Sequence, residues 1–226
     1  MIGNPLLLPH NGVTIGEFTE AGELSGSFFW LFSGAAMTGQ LQKPKILNVE
    51  TVARSRLFTV EAVDLVFSNG AQRVYERMKP SEREAVMIVP IVDNHLILIR
   101  EYAVGLESYE LGFPKGLIDP GETPFEAANR ELKEEAGFGA RQLETLGKLT
   151  MAPSYFSSKM NIVVAEALYE EQLEGDEPEP LPQVRWPLDN LMALLQEPDF
   201  NEARNVSALF LVREWLIRQG RLSYQP

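Results

Sequence analysis

The chain has 226 residues, of which 45% are hydrophobic, enough to bury the core of one large domain. Its formal net charge of −12 argues against nucleic acid and anionic membranes as partners, because both are negatively charged. The absence of cysteine excludes a disulfide framework, a thiol nucleophile and a cysteine-based zinc site, and favours a cytoplasmic protein.

Residues 1–36 differ in composition from the rest of the chain. They contain no Lys or Arg and include an apolar run at 27–32. A signal peptide normally begins with positive charge, and this run is too short to span a bilayer. We therefore expect residues 1–40 to form a disordered extension, with Met37 a candidate physiological start. A docked arm and an interfacial anchor are the alternatives.

Residues 41–80 are expected to form a small antiparallel sheet. Three segments predict strands, the first two of them rich in Val, Ile and Phe: 46–53, 57–67 and 73–79. Asn69-Gly70 lies between the second and third segments and predicts a tight hairpin. This sheet is a candidate for dimerisation.

Residues 81–220 are expected to form the main domain. The apolar segments 84–92 and 96–102 predict a hairpin about Asp93-Asn94, buried on both faces. After the segment 116–138, the pattern predicts three strands, at 143–151, 161–168 and 183–186, with a loop at 168–182. It then predicts two helices, at 188–196 and 202–219. The apolar positions of the last helix suit core or dimer contacts. The order predicts an α/β domain with a mixed sheet and flanking helices.

The segment 116–138 predicts a turn-rich loop followed by one well-marked helix. Thr123 and Glu126 have the spacing of a capping box, and Pro124 suits the first helical position. Gly137 suits the C-terminal cap because glycine readily adopts positive φ. The loop before the helix begins at Gly116 and can bring backbone carbonyl groups close to a metal or phosphate.

Three carboxylates of this helix, Glu131, Glu134 and Glu135, fall within one narrow sector. They repel one another and lie near the end of the helix where the dipole disfavours negative charge. A divalent cation is the simplest compensation, because Mg²⁺ and Mn²⁺ prefer carboxylate oxygen. Arg130 can pair with Glu126 and Glu134. The alternative is a solvated charged face, against which the capping box and the glycine loop both argue.

The segment matches Gly-x5-Glu-x7-Arg-Glu-U-x-Glu-Glu-x-Gly-U, with U a bulky apolar residue. The fixed positions are Gly116, Glu122, Arg130, Glu131, Leu132, Glu134, Glu135, Gly137 and Phe138. By this signature the chain is identified as resembling the Nudix hydrolases. The resemblance implies a Nudix α/β/α sandwich and metal-dependent hydrolysis of a diphosphate linked to a variable group.

The same resemblance implies roles for the residues of the signature. Mg²⁺ or Mn²⁺ would bind Glu131, Glu134 and Glu135, with the carbonyl oxygen of Gly116 a further ligand. Arg130 would orient these ligands by ion pairing, with Glu122 beside it outside the ligand set.

From residue 41 to about 220 the sequence further resembles the bacterial ADP compounds hydrolases. The stretches that carry this resemblance are 46–50, 83–90, 109–113 and 151–156. It implies cleavage of ADP derivatives such as ADP-ribose, NADH and diadenosine triphosphate, with release of AMP, by a homodimer. Pro153 and Tyr155 lie where ADP-ribose and dinucleoside polyphosphate enzymes, respectively, carry such residues.

Five residues are candidates for substrate binding: Arg54, Arg56, Arg100, Glu110 and Tyr155. Arg100 suits a phosphate clamp because a guanidinium group can bind phosphate through two nitrogens. Arg54 and Arg56 would contribute from the N-terminal sheet, as in dimeric relatives. Glu110 stands four residues before a proline rather than the two usual in ADP-ribose enzymes. The alternative for the arginines is surface ion pairing.

The general base is predicted among two groups of carboxylates. Glu134 and Glu135 of the helix form the first group. The second is the acidic loop 170–179, where Glu177 is favoured over Glu174, because relatives bring a catalytic Glu from a mobile loop at this place. A solvated acidic loop is the alternative.

Two other functions compete with this reading. A nucleotide-binding Nudix module without activity would usually lack one of the glutamates, whereas all are present here. An enzyme acting on RNA 5′ ends would be expected to carry a basic groove, which the strong acidity of the chain opposes.

Overall fold

The computed structural model describes residues 41–81 and 83–223. The extension predicted over residues 1–40 lies outside these described residues. The strands are β1 Lys45–Arg54, β2 Thr59–Val66, β3 Gln72–Met78, β4 Ala85–Val92, β5 His95–Ala103, β6 Ser108–Gly112, β7 Lys115–Leu117, β8 Phe138–Thr150, β9 Lys159–Glu170 and β10 Gln183–Pro187. The helices are α1 Pro124–Ala136, the 3₁₀ helix Leu188–Gln196 and α2 Ala203–Arg218.

The predicted N-terminal antiparallel sheet is confirmed, with strand order β1-β2-β3. Gly70 has φ of 82° in the turn between β2 and β3, a conformation that glycine adopts without steric cost. Every residue of β1 is exposed, although the strand contains several apolar side chains.

The main sheet has the order β10-β5-β4-β9-β8, with β6 paired to β5 and β7 paired to β4. Strands β4 and β9 are parallel and the other pairs are antiparallel, so the predicted mixed sheet is confirmed. Asp93 and Asn94, with φ of 48° and 61°, form the predicted two-residue turn.

Helices cover both faces of the main sheet, which confirms the α/β/α sandwich. Strand β4 serves both sides: Val86 and Ile88 belong to the core under α1, and Met87 and Val89 to the core under α2. The buried positions of α1 include Ala127, Ala128, Leu132 and Ala136, and those of α2 include Ala208, Leu209, Val212, Trp215 and Leu216. Within the described residues, no helix is both long and apolar enough to cross a membrane.

The structure corrects three details of the sequence analysis. Strands β6 and β7 were not predicted, because they are short and interrupted by turn residues. Strand β8 begins at residue 138 rather than 143. Its first five residues were not predicted because they contain no apolar run. The segment 188–196 is helical but of the 3₁₀ type, with no side-chain cap and with non-helical backbone angles at Asn190.

Asn205 joins the start of α2 to the end of β6. Its side chain is buried, its Oδ1 accepts the Phe113 N–H at 2.8 Å, and its Nδ2 donates to Glu202 at 3.1 Å. A Cβ at Gly112 would stand 2.7 Å from Asn205 Nδ2, so only glycine permits this approach. This junction fixes α2 against the sheet close to the site described below.

Replacing Asn205 by Ala is expected to lower the free energy of unfolding by about 1–3 kcal/mol, because the buried Phe113 N–H loses its acceptor. Urea unfolding measures the change. Asn201→Ala is the control, since it removes an exposed hydrogen bond to Pro198 and is expected to cost less than about 0.5 kcal/mol. Equal losses in the two variants would contradict the role given to Asn205.

Candidate active site

Helix α1 begins and ends as predicted. Thr123 Oγ1 accepts the Glu126 N–H at 3.2 Å, and Glu126 Oε2 accepts the Thr123 N–H at 2.7 Å, so the capping box is complete. Gly137 has φ of 70° and its N–H bonds carbonyl groups of the last turn. These local bonds fix where the helix starts and where it ends.

The three predicted carboxylates lie on the face of α1 that borders β7. Glu131 is 9% exposed and Glu135 is 7% exposed, although both are charged residue types. Glu135 Oε2 accepts the backbone N–H of Lys115 at 2.7 Å. The solvated-face alternative is therefore excluded for these two residues.

Arg130 is the cation at the centre of this group. Its Nη1 donates to Glu131 at 2.7 Å and to Glu134 at 3.0 Å, and its Nε and Nη2 bond both carboxylate oxygens of Glu122, at 2.8 and 2.9 Å. Nη2 also bonds the carbonyl oxygen of Leu117 at 2.9 Å. One guanidinium group thus connects the loop to the helix.

The predicted pair between Arg130 and Glu126 is not formed, because the Glu126 carboxylate closes the capping box instead. The pair with Glu134 is confirmed. The hydrogen bonds from Arg130 lower the pKa of Glu122 to about 2, and the carboxylates in turn raise the pKa of Arg130.

Gly116 lies in β7, directly beside the carboxylates. It pairs with Val86 of β4, and a Cβ at this position would overlap the Glu131 carboxylate. The glycine of the sequence signature is therefore required by the close approach of backbone and carboxylate. This approach leaves the Gly116 backbone at the wall of the site.

The carboxylates open into a cavity of about 930 Å³. It is lined by the three glutamates, Gly116 and Arg130, and on the opposite side by residues 174–177 of the predicted acidic loop. Three further cationic residues line it: Arg83, Lys115 and Arg204. Sequence reasoning missed them. Lys115 directly precedes Gly116 and could have been found from the signature, whereas nothing local marks Arg204.

The acidic loop is attached to the end of α1. Four of its donors, counting the start of β10, bond carbonyl groups there: the Leu173 N–H to Lys133 at 3.2 Å, the Gln172 amide to Glu134 at 2.9 Å, the Gln183 amide to Ala136 at 2.9 Å and the Glu171 N–H to Gly137 at 3.0 Å. The loop thus satisfies backbone oxygens that a helix end leaves without partners. The bonds hold Glu174 and Glu177 over the cavity.

Burial changes the proton affinity of the carboxylates. Desolvation raises the pKa of Glu135 to about 8, against the lowering effect of Lys115. Desolvation also raises the pKa of Glu131, and Arg130 opposes this effect. The described residues alone therefore do not fully compensate the negative charge of the site.

The donor set fits a hard divalent cation. Carboxylate oxygens of Glu131, Glu134, Glu135 and Glu177 and the Gly116 backbone line one cavity, and such oxygens suit Mg²⁺ or Mn²⁺. Across the described part of the chain, no three acidic or histidine side chains already form a metal-binding group. Arg130 and the Lys115 N–H bond carboxylate oxygens of the three glutamates.

None of the five predicted substrate residues lines the cavity. Arg100 pairs with Asp199 and does not line it, and Arg54 lies in the exposed strand β1. Arg56 follows β1 and is exposed, and the side chain of Tyr155 is 62% exposed and also outside the cavity.

Glu110 lies in a smaller neighbouring pocket of about 230 Å³, which shares Lys115 and Arg204 with the cavity. Its Oε1 accepts the Ser108 hydroxyl at 2.6 Å. Its Oε2 is buried and has no hydrogen-bond partner. A buried carboxylate oxygen without a partner is costly, so this pocket suits a ligand with a hydrogen-bond donor.

Comparisons with family models and with known proteins all point to one family. The model of the NUDIX domain matches residues 81–210, and that of the NudE-type Nudix hydrolase N-terminal domain matches residues 44–77. The ADP compounds hydrolase NudE of Escherichia coli (strain K12) is 80% identical over 186 residues, covering 82% of this chain and 100% of that protein.

Two further comparisons agree. The ADP-ribose pyrophosphatase of Bacillus subtilis (strain 168) is 26% identical over 172 residues, covering 73% of this chain and 92% of that protein. A crystal structure of an ADP compounds hydrolase superposes with a TM-score of 0.80 and 81% sequence identity, covering 81% of this chain and 99% of that chain.

With a chelator present, replacing Glu135 by Gln is expected to flatten the pH dependence of stability. Because the folded-state pKa of about 8 exceeds the ordinary value of 4.5, the folded protein binds the extra proton between these values. The free energy of unfolding therefore falls as pH rises through this window, by at most about 1.4 kcal/mol per pH unit. Gln keeps the acceptor for the Lys115 N–H but has no proton to lose.

Urea unfolding at pH 5.5 and pH 8 measures the effect. Relative to wild type, the Glu135→Gln variant should gain much more stability at pH 8 than at pH 5.5. Glu144→Gln, at an exposed position of β8, is the control and should follow wild type at both values. An unchanged slope in Glu135→Gln would show that burial does not shift this carboxyl group.

Proposed function

We propose that this chain, which belongs to the Nudix hydrolase family, hydrolyses the diphosphate bond of ADP derivatives and releases AMP. The expected substrates are ADP-ribose, NADH and diadenosine triphosphate. The proposal rests on the cavity that Glu131, Glu134, Glu135 and Gly116 line together with cationic side chains. The names of the two relatives refer to ADP compounds and ADP-ribose.

Nudix hydrolases generally use divalent metal ions. We expect Mg²⁺ or Mn²⁺ here, held by Glu131, Glu134, Glu135 and the carbonyl oxygen of Gly116. When bound, such an ion neutralises the diphosphate and lowers the pKa of water. The role of Arg130 is to keep Glu131 and Glu134 together and to tie them to the loop through Glu122.

The other residues of the cavity would bind the substrate and move a proton. Arg83, Lys115 and Arg204 would turn positive charge toward the phosphate oxygens, each while paired with a neighbouring carboxylate. Glu177 is the favoured general base and accepts the proton of the attacking water at a carboxylate oxygen, with Glu174 on the same loop the second candidate. Hydrolysis adds this water to phosphorus and separates AMP from the phosphate of the other half.

Glu110 is proposed to contact the adenosine half. Its Oε2 lacks a partner and lies in a pocket that adjoins the cavity, so an adenine amino group or a ribose hydroxyl group could donate to it. Arg100 could bind phosphate only if its pair with Asp199 opens. The contact of Tyr155 with substrate and the cytoplasmic location remain predictions.

The N-terminal sheet is proposed to form a homodimer. Ile46, Leu47, Val49 and Val52 of β1 are between 42% and 50% exposed, and exposed apolar strands of this kind commonly mark protein contacts. Arg54 and Arg56 lie at the end of this strand and just after it, and in such a dimer they would contact nucleotide across the interface.

Replacing Val49 by Glu is expected to shift the protein from dimer to monomer, because a charge would be buried at the interface. Analytical ultracentrifugation across a range of concentrations measures the change. Val104→Glu introduces the same charge at an 81% exposed position between β5 and β6 and should leave the dimer intact. A monomeric wild type, or a Val49→Glu variant that dimerises like wild type, would refute the proposed interface.

Hydrolysis of a substrate panel with Mg²⁺ or Mn²⁺ tests the proposed activity. Chromatography should show AMP from ADP-ribose, NADH and diadenosine triphosphate, with little product from ATP or from RNA 5′ ends. Glu134→Gln should lower turnover by about 100-fold or more, since it removes a carboxylate from the reacting site.

The melting temperature of Glu134→Gln should stay close to that of wild type, because this side chain is partly exposed. Glu144→Gln again serves as the control and should retain full turnover. A preference for RNA ends would overturn the substrate assignment. Near-normal turnover of Glu134→Gln would overturn the ligand assignment.

A further inference from the structure

An apolar cleft of about 480 Å³ lies beside the carboxylate cavity. Its walls come from the end of β8, from the segment that follows it and from the start of α2, and they include Leu149, Met151, Phe156 and Ser207. Small-molecule sites typically measure about 300–1,000 Å³ and have mainly apolar walls with a few polar groups. The cleft has the size and lining of such a site, and nothing described so far occupies it.

The wall formed by residues 151–158 is held in shape by hydrogen bonds. The N–H groups of Tyr155 and Phe156 both bond the carbonyl oxygen of Ala152, at 2.9 and 3.0 Å, and the Met151 N–H bonds Ser158 at 3.2 Å. Ala152 has φ of 40°, a conformation that side chains other than glycine seldom adopt. Strained backbone of this kind is retained where the surroundings enforce it, often at binding sites.

Phe156 is the aromatic side chain of this wall. It is 42% exposed and lines the cleft, whereas the ring of its neighbour Tyr155, the residue singled out by the sequence, does not. An exposed phenyl ring can stack against a planar base, and such stacking is tolerant of base identity. The cleft therefore offers one aromatic contact, at a wall that also includes Met151, Ala152 and Ser158.

Arg204 connects the cleft to the cavity, because its side chain lines both. Its Nε donates to Glu202 at 2.6 Å, which holds the guanidinium group at the start of α2. A ligand whose diphosphate lies in the carboxylate cavity can thus pass Arg204 and place its other end in the cleft. The unpaired Glu110 oxygen lies in a different pocket, on which Arg204 also borders.

We propose that this cleft is the subsite for the variable half of the substrate, the group linked through the diphosphate to the adenosine half. The proposal rests on the proposed function and deepens it. Phe156 and Met151 contact the base or sugar of this half, and Arg204 contacts the phosphate that bears it. A second base fills the cleft more completely than a lone ribose does, so the cleft distinguishes dinucleotides from ADP-ribose.

Replacing Ser207 by Phe tests the proposal by filling the cleft from α2 without altering the carboxylate cavity. KM for NADH and diadenosine triphosphate should rise about 10-fold or more, and KM for ADP-ribose by less than about 3-fold, with kcat for ADP-ribose retained. Glu214→Phe adds the same side chain at an exposed position of α2 and should leave all three values unchanged. Equal changes for all substrates, or no change for any, would overturn the subsite.

Binding without turnover gives a second readout. In a Glu134→Gln background, Phe156→Trp places a fluorescent reporter in the wall of the cleft. Its emission should change saturably with diadenosine triphosphate and should not change with AMP alone. An identical response to both ligands, or no response to either, would contradict the proposal even if Ser207→Phe failed to fold.

These outcomes separate the subsite from the proposed function. If wild type releases no AMP from any ADP compound, the proposed function fails. If wild type is active and the ratio of KM values between NADH and ADP-ribose is the same in wild type and Ser207→Phe, only the subsite fails.

Discussion

The site depends on one arginine that holds several carboxylates close together. Arg130 bonds Glu122, Glu131 and Glu134, and Glu131 is nearly buried. Carboxylates at this spacing on a helix repel one another, and buried charge without a partner is strongly unfavourable. The guanidinium group offsets both costs and, through Leu117, also fixes the loop that carries Gly116. Glu135 makes no hydrogen bond to Arg130, and burial raises its pKa to about 8.

The same helix also fixes the opposite wall of the cavity. The acidic loop donates to carbonyl groups at the end of α1, so its position follows that of the glutamates. Gly175 lies next to the helix, because a Cβ there would stand 3.4 Å from Glu134, at ordinary van der Waals distance. Helix and loop therefore form one unit. Movement of the loop requires breaking bonds that cap the helix, which limits how freely Glu174 and Glu177 can leave the cavity.

The sequence predicted the parts of the fold that depend on local interactions. The capping box, the Asn69-Gly70 and Asp93-Asn94 turns, and the shared face of the glutamates all follow from residues within a few positions of one another. The parts that depend on distant segments were not predicted. Arg204 reaches the cavity only because Asn205 joins α2 to the sheet, and Arg100 is taken up by Asp199, about a hundred residues away. Neither pairing leaves a local pattern.

The charge of the cavity shows what an acidic protein would need in order to bind an anionic substrate. More carboxylates than cationic groups line the cavity, and Arg130 is already engaged by glutamates. A diphosphate would therefore meet net negative charge from the described residues, at distances where the interaction is weakly screened. The other cationic side chains of the cavity, Arg83, Lys115 and Arg204, are each paired with a carboxylate as well. On the proposed function, the carboxylates would hold a divalent cation whose charge offsets that of the diphosphate, and the two flanking pockets would contact the two halves of the substrate.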